Sequence, residues 1–90
     1  MKTIQILISG KVQGVWYRKS TKEKADELGI VGTVENLPTG QVKAKVQCDQ
    51  QQLKELVIWM REGPKFAEVQ AVETSTVLEP LQYHDFTILR

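Results

Sequence analysis

The 90-residue sequence has one cysteine and one histidine. No internal disulfide can form, and a reducing compartment is the default for such a chain. One Cys and one His cannot assemble a zinc site of the usual kind. A Ser-His-Asp or Cys-His nucleophilic set would have to use His84, which falls in the last predicted strand. Cys48 lies on the inward phase of its strand and reads as a small buried hydrophobe. Charge of one sign is also missing: 12 Lys plus Arg face 11 Asp plus Glu, for a net charge of +1. That balance gives no electrostatic footprint for duplex nucleic acid. No apolar run approaches the ~20 residues that cross a bilayer. The opening stretch from Met1 to Gly10 is too short and too interrupted for a signal peptide. These absences lead us to expect a soluble cytoplasmic protein with no membrane or nucleic-acid partner, and a monomer, since no exposed apolar face stands out.

What is present reads as one domain spanning residues 1–90. Hydrophobic residues make up 41% and charged residues 26%, which is ordinary for a folded chain. Ile4, Ile6 and Ile8 alternate with polar residues and predict a half-buried strand. A glycine-containing loop follows. Arg18 to Leu28 is helical in composition, with Thr21, Ala25 and Leu28 as a thin apolar stripe and Gly29 as a stop. Ile30 to Asn36 predicts a second strand, and Leu37-Pro38-Thr39-Gly40 a turn. In the third strand Val42, Ala44, Val46 and Cys48 point in, while Gln41, Lys43, Lys45 and Gln47 point out. Asp49 and Gln52 form a capping-box pattern ahead of a helix whose stripe is Leu53, Leu56, Val57 and Met60. Phe66 to Val77 and Tyr83 to Leu89 predict further strands. The expected class is α+β, a ferredoxin-like α/β sandwich of order β-α-β-β-α-β. Its antiparallel sheet would carry both helices on one face. That arrangement serves many functions, so function has to come from a site.

Two places could carry chemistry. The stretch Gly10 to Arg18 joins a strand to a helix and contains two glycines and no proline, so every backbone N–H in it is available. Such a loop can curl into a nest of donors at the positive end of the helix, where an anion binds. Arg18 then stands at the first turn, where a cation is locally unfavourable and a bound phosphate would reverse the sign. A plain β-α turn followed by a surface Arg is the competing reading. Asn36 ends the second strand. It is either a turn-forming Asn or an amide that donates and accepts, able to hold a water without competing as a charge. Strand order alone does not bring Asn36 to Arg18.

Taken together, Gly10-Lys11-Val12-Gln13-Gly14-Val15-Trp16-Tyr17-Arg18 resembles the phosphate-binding loop of the acylphosphatases, and Leu28 to Asn36 resembles their second signature. Gly40-Gln41-Val42, Gly63-Pro64, Ala67-Glu68-Val69 and Phe86-Thr87-Ile88 also fit, so the likeness covers essentially the whole chain. It implies hydrolysis of the carboxyl-phosphate bond of acyl phosphates to carboxylate and inorganic phosphate, without metal or organic cofactor. Carried over, Arg18 and the amides of Gln13, Gly14, Val15, Trp16 and Tyr17 would bind the phosphoryl group, and Asn36 would orient the attacking water. Thr33 stands where the family often has Trp, Glu35 where it often has a basic or neutral polar residue, and Cys48 where it often has Gly. Trp16-Tyr17 replaces a smaller residue and Phe. None of these removes a catalytic group.

Two other readings compete. A non-catalytic module of the same build would keep the loop and bind an anion without turnover, although it would have no need of Asn36. An RNA-binding module of the RRM type shares the strand order but needs aromatics on its central strands. The outward residues of the third strand here are Gln41, Lys43, Lys45 and Gln47, with no aromatic among them.

Overall fold

The computed structural model describes residues 2–79 and 81–89. The elements are β1 (Thr3–Lys11), α1 (Tyr17–Leu28), β2 (Val31–Asn36), β3 (Val42–Gln47), α2 (Gln50–Glu62), β4 (Glu68–Val77) and β5 (Phe86–Ile88). They form one sheet of order β4-β1-β3-β2-β5. The predicted alternation holds in the centre of it. Ile6 pairs with Ala44 and Ile8 with Val42, and all four are fully buried. Beneath them pack Tyr17, Thr21 and Ala25 of α1 and Leu56 and Met60 of α2. Tyr17, not Leu28, heads the buried stripe of α1, and Leu28 is only partly covered.

The helix ends are those the residues dictate. Gly29 closes α1 in the left-handed conformation at φ 74°. The Asp49 carboxylate accepts from the Gln52 N–H at 2.7 Å, and the Gln52 side chain accepts in return from the Asp49 N–H at 2.9 Å. The same Gln52 side chain donates to the Leu28 carbonyl at 2.9 Å, which ties the start of α2 to the end of α1. In the expected turn, the Gly40 N–H donates to the Leu37 carbonyl at 3.1 Å.

One expectation needs correction. The β1–β3, β1–β4 and β2–β3 pairings are antiparallel, but β5 follows β4 as a fifth strand and runs parallel to β2, so the sheet is mixed. The cause is the route of the chain: β4 and β5 lie at opposite edges, and the connection between them crosses the sheet. It crosses on the face away from the helices. There Glu79 pairs with Lys45 at 3.1 Å, and the Leu81 carbonyl and the Tyr83 N–H bond the Gln47 side chain. This is why Gln47, outward by phase, is buried.

The end of β1 sets the direction of the loop that follows. The β1–β4 register shifts between Ser9 and Gly10, and Gly10 adopts φ 125°. A Cβ at this bulge would overlap the Glu68 carbonyl of β4. Gly10→Ala therefore combines a forbidden φ with a backbone clash. We expect it to destabilise the fold by about 3 kcal/mol or more, read by urea denaturation; a loss under ~1 kcal/mol would contradict this role for the bulge.

Candidate active site

From the bulge the chain turns through two left-handed residues, Gly14 at φ 74° and Trp16 at φ 66°. Glycine adopts that conformation freely. A tryptophan there costs about 1–2 kcal/mol, and the ring recovers little by burial, being 71% exposed. Trp16 is the N-cap of α1 and offers no side-chain cap, and the first turn holds no acidic residue. The helical ladder starts with the Ser20 N–H bonding the Trp16 carbonyl at 3.0 Å. The amides of Tyr17, Arg18 and Lys19 precede it, and no carbonyl of the helix serves them. The positive end of α1 therefore opens uncapped.

It opens onto a cleft of about 680 Å³. Gly14, Trp16, Tyr17, Arg18 and Lys19 border it from the loop and helix, and Asn36 from the end of β2. Val12 and Ile88 add apolar wall. Arg18 and Asn36, which strand order left unconnected, thus share one cleft. The link is the Gln13 side chain. Its amide nitrogen donates to the carbonyls of Leu37 and Gln41, both at 2.8 Å. These residues flank the β2–β3 turn, so the loop is fastened to the segment that begins directly after Asn36.

Each functional side chain has its own support. Arg18 is half-buried and makes a long hydrogen bond of 3.4 Å to the Leu89 carbonyl. The Leu89 N–H in turn donates to the Val34 carbonyl at 2.8 Å, so β2 holds the acceptor in place. Tyr17 is fully buried, and its hydroxyl donates to the Met60 carbonyl at 2.8 Å. Its ring lies 5.8 Å from that of Trp59. Burial pushes the Tyr17 phenol well above its ordinary range, so it is an anchor and not an acid. Asn36 shares the phase of buried Val34, while Glu35 lies on the opposite face, in register with Lys43. The Asn36 Oδ1 is buried without a hydrogen-bond partner among the described residues. An orphaned acceptor costs ~1–3 kcal/mol in a finished core; Asn36, unlike Thr21 with its equally unpartnered Oγ1, borders the cleft.

The electrostatics are one-sided. Arg18 and Lys19 border the cleft, and no carboxylate does so among the described residues. Cys48 and His84 take no part in it. Burial, with the Asp49 carboxylate adding, pushes the Cys48 thiol up to about 11, so it stays protonated and unreactive at neutral pH.

Of the residues expected from the sequence, Gly14, Trp16, Tyr17, Arg18 and Asn36 border the cleft. The side chains of Gln13 and Val15 do not: that of Gln13 is the tie described above, and that of Val15 is buried in the core. Three bordering residues had no assigned place. Lys19 was legible as the neighbour of Arg18. Val12 sits in a loop without periodicity. Ile88 reaches the cleft only through the parallel β2–β5 pairing, in register with Val34, which leaves no signal in sequence.

Comparison with known proteins agrees with this geometry. The acylphosphatase family model matches residues 4–88. The chain is 39% identical over 90 residues to an acylphosphatase of Methylococcus capsulatus, covering 100% of this chain and 98% of the relative. It superimposes on the crystal structure of acylphosphatase from Bacillus subtilis with a TM-score of 0.93 at 26% identity, covering all of both chains. An acylphosphatase structure from Coxiella burnetii gives a TM-score of 0.90 at 35% identity, covering 98% of this chain and 92% of the other.

Removing the Gln13 amide takes one donor from each of two carbonyls, which keep only their backbone partners within the turn, and frees the loop. We expect Gln13→Ala to destabilise the fold by about 1–2 kcal/mol and to weaken binding of inorganic phosphate, read by calorimetric titration of the folded variant. Unchanged phosphate affinity would show that the loop holds its shape without the tie.

Proposed function

The chain belongs to the acylphosphatase family and hydrolyses acyl phosphates, and from that premise we propose how its residues divide the work. Arg18 and the amides from Gln13 to Tyr17 hold the phosphoryl group, and Asn36 positions the attacking water. The observation that carries this reading is the shared cleft. It joins an uncapped helix N-terminus, a guanidinium and an amide, with no carboxylate bordering it among the described residues.

The water oxygen attacks phosphorus, and the bond from phosphorus to the carboxyl oxygen breaks. The products are a carboxylate and inorganic phosphate. The departing carboxylate is a weak base, so no general acid has to protonate it. The water's proton can pass to the phosphoryl oxygens, so no protein base is required either. What remains is positioning and charge stabilisation. Arg18 offers a planar fork that matches two phosphoryl oxygens, which a lysine cannot reproduce. The loop amides and the positive end of α1 take the remaining charge. Asn36 both accepts from and donates to a water without adding charge beside the phosphoryl group. Metal and organic cofactor are unnecessary to this scheme.

The same proposal takes residues 1–90 as one domain that works as a monomer in the cytoplasm. No described helix is long and apolar enough to cross a membrane. The free Cys48 thiol suits reducing surroundings. Among the described residues the large exposed apolar side chains are Trp16, Ile58, Phe66, Leu78, Leu81 and Leu89, and only Leu78 and Leu81 share one connecting segment.

Turnover of benzoyl phosphate with chelator present tests the division of labour. Arg18→Ala should lose roughly 10³-fold or more in kcat/KM, and a loss below about tenfold would sink its role. Asn36→Ala should lower kcat far more than it weakens inhibition by inorganic phosphate, whereas Arg18→Ala should weaken both. The reverse pattern would exchange the two assignments.

A further inference from the structure

α1 carries four cationic side chains, and they fall into two groups. Lys22 is paired with Asp26 at 2.9 Å and Lys24 with Glu27 at 3.5 Å. Arg18 and Lys19 have no carboxylate partner among the described residues. For Lys19 this is not for want of a candidate. Glu23 stands one turn further on, at i+4, yet the Lys19 ammonium lies over the Trp16 ring, 5.9 Å from its centroid. A lysine N-terminal to a glutamate is the weaker orientation of such a pair, and the positive end of the helix disfavours a cation. Lys19 is thus exposed, unpaired and locally unfavourable at the border of the cleft. Beside it stands Trp16, strained in the backbone and exposed in the ring, so that it also returns little stability for its cost.

Arg18 and Lys19 are also separated in direction. Consecutive residues on a helix project about 100° apart. Arg18 reaches toward the Leu89 carbonyl and Lys19 toward Trp16. Lys19 is therefore not a second fork on the group that Arg18 holds. The cleft, about 680 Å³, is of a size that takes whole small molecules, commonly ~300–1,000 Å³, so it has room for the acyl portion as well as the phosphoryl group.

We propose that Lys19, held beside the Trp16 ring at the edge of the cleft, selects acyl phosphates whose acyl group carries a negative charge of its own. The inference rests on the reading of this cleft as the acyl phosphate site. The ring offers an apolar plane to the acyl carbon skeleton, and the ammonium offers a partner to a carboxylate or second phosphate beyond it.

The test compares benzoyl phosphate with 3- and 4-carboxybenzoyl phosphate, which differ by one distal carboxylate. The quantity read is the ratio of kcat/KM, carboxylated over plain, which cancels any general loss of activity. Replacing Lys19 by glutamine should lower the ratio about two- to fivefold, the scale of a partly exposed ion pair. Lys19→Arg should keep the ratio. In the wild type the ratio should fall as ionic strength rises. Lys19→Gln should melt no lower than wild type, because it removes a cation from the positive end of a helix. Equal ratios in wild type and Lys19→Gln, with benzoyl phosphate still turned over, overturn this inference alone. Failure of the wild type to hydrolyse either compound overturns the assignment of the cleft and this inference with it.

Discussion

Two hydrogen bonds from one glutamine make the site possible. The loop after β1 and the end of β2 belong to strands that are not neighbours, since β3 lies between them. Backbone pairing cannot bring them together. The Gln13 amide does so by donating to Leu37 on one side of the β2–β3 turn and Gln41 on the other. Both acceptors are carbonyls, so the tie needs two N–H donors on one planar group of fixed spread, which an amide supplies and a hydroxyl does not. The turn is itself braced: the Leu37 N–H donates to the Gln41 carbonyl at 2.8 Å, so the two acceptors are held together before Gln13 reaches them. A charged side chain in that place would place a further charge beside the positive end of α1.

The rest of the fold keeps the start of α1 in an arrangement that it would not choose alone. A left-handed Trp16, an uncapped first turn and two adjacent cations all act against it. What opposes them is packing. Tyr17, the first residue of α1, is buried against α2 and bonded to the Met60 carbonyl. Lys22, on the next turn, donates to the Phe86 carbonyl at 2.9 Å, and Arg18 leans on Leu89. α1 is thus fixed to α2 on one side and to β5 on the other. The unfavourable charge density survives because the core over-determines the helix position. The strain is concentrated where an anion would relieve it.

Much of this was legible in the sequence, and the exceptions have physical causes. Period-two alternation identified β1 and β3 because one face of each carries fully buried apolar residues, while the other carries polar residues of which only Thr3 and Gln47 are buried. The Asp49–Gln52 box and Gly29 marked helix ends because capping is local chemistry. The glycine loop and Arg18 were recognisable because an anion nest also depends on neighbours in sequence. The strand β5 was expected within Tyr83 to Leu89, but its pairing was a different matter. Its three residues pair in parallel with β2 after a crossing of the whole sheet, and no local pattern records such a route. The inward side chain of the pair Trp16-Tyr17 was likewise unreadable, since a loop has no period to assign faces. Gln13 was expected to contribute through its backbone; its side chain matters through contacts 24 and 28 residues away.

The few side chains at the cleft suit the chemistry of acyl phosphate hydrolysis. A reaction with a poor leaving group needs an acid, a base and commonly a metal, each with its own supporting shell. An acyl phosphate brings a good leaving group and its own proton acceptor, so the protein has to supply only fixed charge and fixed geometry. Backbone amides give charge without a side chain, and their geometry is settled by the helix they begin. In the proposed scheme one guanidinium and one amide complete the set. Both hang on the hydrogen-bond framework of the sheet, Arg18 through Leu89 and Val34, Asn36 through its place in register with Val42. The sheet that forms the core is therefore also the frame that holds the two groups proposed to act on the phosphoryl group, and a single layer of helices is enough to close it.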